Sequence, residues 1–142
     1  MKFVVYNRGT MEKVSPALAP WALISISHEP DHPQVFENEH LVDRLDQTYH
    51  DIDRLDPKKL KNRILFTPEM ADAVLDFYVT MKEHDVEIMF LHCHAGMCRS
   101  PATAAALQKI DGGDDAIWFA TKRPNMLVYR TILERAFERG ML

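Results

Sequence analysis

The residues best equipped for chemistry lie in one run, His92-Cys93-His94-Ala95-Gly96-Met97-Cys98-Arg99-Ser100, with five residues between Cys93 and Arg99. An apolar run, Ile88-Met89-Phe90-Leu91, comes before it, and a helix-forming one, Pro101-Ala102-Thr103-Ala104-Ala105-Ala106-Leu107, comes after. The cysteine is therefore predicted at the end of a buried strand and the arginine at the start of a helix. A loop so placed turns its amides inward, and the helix N-terminus adds partial positive charge. The arginine then closes the ring around a tetrahedral anion. The field that attracts phosphate also stabilises negative sulfur, so Cys93 is predicted to act as a thiolate nucleophile. In-line attack on phosphorus would give a cysteinyl-phosphate that water later hydrolyses.

Around that nucleophile, His94, Ala95, Gly96, Met97, Cys98 and Arg99 are the expected phosphate-binding positions. The planar fork of Arg99 suits two phosphoryl oxygens, and the same contacts would hold the transition state. An arginine in a first helical turn opposes the helix dipole, a mismatch that a bound anion removes. Ser100 is placed to donate to the sulfur as it leaves, or to cap the helix. A lone cysteine at a strand end is usually a small buried hydrophobe, but the Ala-Gly and arginine context argues for a reactive one. A departing alkoxide or phenolate also needs a proton, so a general acid must lie elsewhere in the chain.

These groups need elements to position them. Phe3-Val4-Val5-Tyr6 is a short apolar strand expected to be buried on both faces. A second strand, residues 21–27, is bounded by Pro20 and by the turn-rich His28-Glu29-Pro30-Asp31-His32-Pro33. A third is expected over residues 41–49, and residues 87–91 feed the loop. Residues 68–83 read as an amphipathic helix, with Met70, Ala73, Val74, Phe77 and Met81 at spacings of three and four and Pro68 in the first turn. Residues 99–110 form the next helix, stopped by Asp111-Gly112-Gly113. Two more, over residues 114–121 and 125–139, are split by Pro124, with Asp114 and Asn125 as candidate caps. Alternating strands and helices predict an α/β fold: a mainly parallel central sheet flanked by helices, with the site at the strand C-termini.

The run from His92 to Ser100 resembles the signature loop of the protein tyrosine phosphatase superfamily. The resemblance continues into Phe66-Thr67-Pro68-Glu69-Met70-Ala71, similar to the helix before the cysteine strand in small dual-specificity-like phosphatases. It also takes in Arg123-Pro124-Asn125 and Val128-Tyr129-Arg130-Thr131-Ile132-Leu133, similar to that family's final helix. It covers roughly residues 41–139 and implies the cysteine phosphatase (dual-specificity-like) fold. It also implies a protein tyrosine or dual-specificity phosphatase activity with no cofactor and no metal. By resemblance, His92 orders the loop rather than touching phosphate, and the general acid is an aspartate before the helix that leads to the cysteine strand. Asp46, Asp51, Asp53 and Asp56 are the candidates. If Leu45, Gln47 and Tyr49 belong to a strand, Asp51 is the first aspartate past its end and the leading choice, with Asp53 next. Cys98 matches the second loop cysteine of low-molecular-weight tyrosine phosphatases, which makes it a possible redox partner of Cys93, or a small residue filling space under the loop.

His94 and Met97 stand where lipid-directed relatives carry lysines, which argues against highly phosphorylated inositols. The expected substrate is a phosphorylated protein or small phosphoester. The cluster Lys58-Lys59-Leu60-Lys61-Asn62-Arg63 either steers acidic substrates or forms a solvated surface. Rival readings are a phosphate-binding pseudophosphatase, a rhodanese-like or arsenate-reducing oxyanion enzyme, and a metal module. For the last, zinc-type Cys-x-x-Cys spacing is missing.

At 142 residues the chain is expected to form a single phosphatase domain over residues 1–142. Seventeen Lys and Arg against 21 Asp and Glu leave a formal net charge of −4, which argues against a nucleic-acid partner. No apolar run reaches bilayer length and the N-terminal run is soon polar, so neither membrane span nor signal peptide is expected. Two cysteines without export signals point to a cytoplasmic protein. A monomer is the expected state.

Overall fold

The computed structural model describes residues 1–53 and 61–142. Four strands form one parallel sheet in the order β1-β4-β2-β3: β1 (Lys2–Asn7), β2 (Trp21–Ser27), β3 (Leu41–Thr48) and β4 (Ile88–Cys93). β2 and β4 occupy the centre, and every residue of β2 is buried. This accounts for their near-continuous apolar sequences, since a parallel strand with neighbours on both sides and cover on both faces has no solvated stripe. The expectation that β1 is buried on both faces fails: Phe3 is buried, but Val4, Val5 and Tyr6 are only half-buried. The reason is position, because β1 lies at the sheet edge and pairs only with β4.

The remaining elements are α1 (Arg8–Met11), α2 (Pro68–Glu83), α3 (Arg99–Ile110), α4 (Ala116–Thr121) and α5 (Met126–Glu138). Thr67 caps α2 by accepting from the Met70 amide at 3.2 Å, with Pro68 in the first turn, where a missing N–H costs nothing. Asn125 caps α5 by accepting from the Val128 amide at 3.1 Å. α4 starts two residues later than the sequence suggests, at Ala116, whose amide donates to the Asp114 carboxylate at 2.9 Å. The single turn α1 was not foreseen. Asn7, the last residue of β1, starts it by accepting from the Thr10 amide at 2.7 Å.

The two faces of the sheet are covered differently. One carries the main core, in which Ile24, Ile26, Met89 and Leu91 meet Val74 and Leu75 of α2, Ala102 and Ala106 of α3, and Val128 and Ile132 of α5. The other face holds Trp21, Leu23 and Phe90 under Met11 of α1 and the loop residues Val14, Ala17 and Val35. α3 is buried along nine consecutive residues, from Arg99 to Leu107. Its small alanines let its backbone approach the sheet and α5 closely, which holds the helix N-terminus beneath the site.

Candidate active site

Cys93 is the last residue of β4 and Arg99 the first of α3, so the predicted strand–loop–helix junction is present. In register, Cys93 lies beside Asn7 of β1. Three carbonyls of the loop between Cys93 and Arg99 are tied outward by two segments, the start of α1 and the stretch before α5. The His94 carbonyl accepts from the Arg8 amide at 3.1 Å, that of Met97 from Arg123 at 2.9 Å, and that of Cys98 from Asn125 at 2.9 Å. Among the described residues, no backbone carbonyl takes the amides of residues 94–98. The peptide dipoles are thus arranged so that an anion inside the loop meets N–H groups.

Gly96 makes the curvature possible. Its φ is +69°, and a Cβ would lie 2.9 Å from both the Asn7 nitrogen and the Tyr6 carbonyl carbon. Only glycine takes this backbone shape at so close an approach without strain.

Cys93 is 2 % exposed, and the Ser100 hydroxyl donates to its sulfur at 3.1 Å. Arg99 is 6 % exposed, and its Nη1 donates to the Tyr49 carbonyl at 2.9 Å. That bond fixes one side of the guanidinium and leaves its other donors to the loop. Tyr49 is fully buried against Phe66, with ring centroids 4.9 Å apart, so the arginine's anchor is itself held in the core. Burial pushes the Tyr49 phenol far above its ordinary range, so it stays protonated.

Of the described candidate acids, Asp51 reaches the site. It lies just past β3, lines an open cleft of about 510 Å³ with Arg99, His28, His50, Lys61, Asn62 and Arg63, and accepts from Asn125 Nδ2 at 2.7 Å. Asn125 therefore works in two directions, capping α5 with its oxygen and holding Asp51 with its nitrogen. Asp46 is instead inside β3 and bonds Arg44 at 2.8 Å. Asp53 is exposed and is not among the residues lining the cleft. Asp56, Lys58 and Lys59 lie outside the described residues, whereas Lys61 and Arg63 from the same cluster face the cleft.

Cys98 is half-buried and its thiol is pushed up to about 11 by burial, with a further contribution from the neighbouring Asp51 charge. Both cysteines are free thiols. His94, Ala95 and Met97 are exposed at the mouth of the loop. The His92 ring is turned not into the loop but toward β2, where Nε2 lies 2.6 Å from Ser25 Oγ. Burial pulls its ring down to about 4, so it is neutral.

Sequence reasoning missed the cleft wall formed by His28 and His50, whose rings are 5.8 Å apart. The available signal was their placement just after β2 and β3, since sites in open parallel sheets gather at strand C-termini. The His50 Nδ1 accepts from the Ile64 amide at 2.9 Å, which leaves its Nε2 as the N–H of the neutral ring. Among the described residues, no group of three or more His, Cys, Asp or Glu side chains is arranged to hold a metal ion.

A buried cysteine thus lies at the end of a parallel sheet, with an arginine and a hydroxyl beside it and loop amides that no backbone carbonyl takes among the described residues. No protein-family model and no curated protein sequence matches this chain. Solved structures do. Human DUSP28 superimposes with a TM-score of 0.61 at 13% identity, covering 97% of this chain and 93% of its own. A mouse putative dual specificity phosphatase complexed with zinc tungstate gives 0.61 at 14% identity, over 99% and 87% of the two chains. The human tyrosine phosphatase-like serine/threonine/tyrosine-interacting protein gives 0.54 at 16% identity, over 84% and 78%. The chain therefore has the fold of the small dual-specificity-like phosphatases. No helix in the described residues is long and apolar enough to cross a membrane.

Proposed function

We propose that this chain is a cysteine-dependent phosphomonoesterase of the protein tyrosine or dual-specificity type, acting through a cysteinyl-phosphate intermediate. The observation that carries the reading is the cradle itself: loop carbonyls tied outward by Arg8, Arg123 and Asn125 above a sulfur that accepts from Ser100. Cys93 attacks phosphorus as the ester P–O bond breaks, and Asp51 gives its proton to the departing oxygen. Arg99 and the loop amides hold the equatorial oxygens throughout, where charge is greatest. In the second step Asp51 takes a proton from the attacking water, and the Cys93 sulfur leaves with the Ser100 hydroxyl stabilising its charge. Fold likeness to dual-specificity phosphatases, one of them a tungstate complex, supports an oxyanion ligand of this shape. Lys61 and Arg63 on the cleft wall favour a leaving group that is itself acidic, as in a phosphoprotein. We further propose a single domain over residues 1–142, monomeric and cytoplasmic, where free thiols persist.

Hydrolysis of p-nitrophenyl phosphate in excess chelator, measured across pH, tests the reading. Wild type is expected to turn over, Cys93→Ser to be inactive, and Asp51→Asn to lose the alkaline limb of its pH profile. Phosphate binding without turnover in wild type would replace the enzyme by a phosphate-binding pseudophosphatase. Turnover that survives Cys93→Ser would remove the cysteine mechanism.

A further inference from the structure

Beneath the loop runs a chain of polar groups, buried at its Ser25–His92 end, that the proposed reaction does not use. Ser25 and His92 are both fully buried, on the adjacent central strands β2 and β4. Ser25 Oγ lies 2.6 Å from His92 Nε2 and 2.7 Å from His32 Nδ1. The far side of His32 meets Thr48 of β3, with Nε2 3.3 Å from Oγ1. Asp46, also on β3, places a carboxylate oxygen 3.8 Å from His32 Nδ1. At the other end, His92 Nδ1 faces the Cys93 carbonyl at 3.5 Å.

The hydroxyl of Ser25 has a single proton, so it donates to one ring and accepts from the other. Burial lowers both imidazoles, that of His92 to about 4, and so favours their neutral forms. Only two proton orders then satisfy the chain. In one, His92 Nε2 donates to Ser25 and Ser25 donates to His32. In the other, His32 Nδ1 donates to Ser25, Ser25 donates to His92 Nε2, and His92 carries its proton on Nδ1, beside Cys93. The Asp46 carboxylate favours the second by attracting a proton to His32 Nδ1. Arg8 and Arg44 also face His32, but each is engaged by a carboxylate, Arg8 by Asp31 and Arg44 by Asp46. In the second order every dipole along the chain points its positive end toward Cys93, and bonds so aligned polarise one another.

We propose that Ser25, His32 and Asp46 are positioning residues that fix the proton order of His92 and thereby raise the reactivity of the Cys93 sulfur. The proposal rests on the reading of Cys93 as the nucleophile. None of the three touches substrate, and Asp46, set aside as a general acid, takes this role instead.

The test is the rate of Cys93 alkylation by iodoacetamide at pH 6 and at pH 9, read by peptide mass in wild type, Ser25→Ala, His32→Gln and Asp46→Asn. Reading the Cys93 peptide separates it from Cys98. At pH 9 all four proteins are expected to react alike. At pH 6 Ser25→Ala and His32→Gln are expected to react about tenfold more slowly than wild type, the effect of a thiol pKa raised by about one unit, and Asp46→Asn about threefold. The acid limb of kcat/KM should move upward by the same factors. Asp46 is exposed, so its replacement is expected to keep the fold and decides the matter if the buried variants fail to fold. A pH 6 to pH 9 rate ratio equal to wild type in the folded variants overturns the proposal. The site reading fails separately: if wild-type Cys93 at pH 6 is no faster than a free thiol and phosphate does not protect it, Cys93 is no nucleophile and the proposal falls with it.

Discussion

His92 shows how one side chain can serve two ends. It directly precedes the nucleophile candidate, yet its partner is Ser25, sixty-seven positions earlier in the chain. Burial holds the ring neutral, with its titration near 4 against an unfolded value near 6.5. Between those two values the unfolded chain binds the extra proton, so stability is fully present above pH 6.5 and is lost as pH falls toward 4. A depression of that size corresponds to about 3 kcal/mol at full effect. Urea denaturation at pH 7 and pH 4.5 should therefore show a smaller acid loss in His92→Gln than in wild type, and an equal loss would remove His92 as the cause. That a histidine belongs beside the cysteine was legible from the run itself. Its orientation was not, because it depends on which strand lies next to β4.

At the scale of elements, the ends of helices were the most readable features. Thr67-Pro68, Asn125 and Asp111-Gly112-Gly113 act through local backbone chemistry, and all three fall at helix termini in the structure. The half-burial of β1 could not be read, since an apolar tetrapeptide does not reveal that its strand has one neighbour rather than two. The same limit kept Asn125 from being seen as more than a cap. Its amide joins α5 to Asp51 across seventy-four positions. Asn125→Ala is expected to cost about 1 kcal/mol through the cap alone. It should also lower kcat more for phenyl phosphate than for p-nitrophenyl phosphate, because the poorer leaving group depends more on a correctly held acid. A uniform decrease for both substrates would mean that only stability had been lost.

The whole molecule joins sheet and helices through one main core, with a smaller cluster on the opposite face. The loop is tied to α1, to the segment before α5 and to α3, so filling it should tighten all of them together. An oxyanion that binds only the folded state at one hundred times its dissociation constant stabilises by about 2.7 kcal/mol. Thermal unfolding in phosphate or tungstate should shift upward by several degrees as one transition. The shift should vanish in Arg99→Ala, and its persistence there would place the anion elsewhere. The architecture was largely legible because periodicity and turn residues mark each strand and helix. The uneven covering of the two sheet faces was not, because loops that pack on a sheet carry no periodic signature.

The burial of α3 along nine residues has a consequence for anyone wishing to redesign this protein. A helix enclosed on all sides offers almost no position where a larger side chain finds room, and overpacking there costs on the order of 1–3 kcal/mol. New specificity must therefore be written at the exposed rim, at His94, Ala95 and Met97 on the loop and at His28 and Arg63 across the cleft. A combinatorial library confined to those five codons would leave the scaffold untouched, whereas one that reached into the alanines would mostly yield unfolded clones.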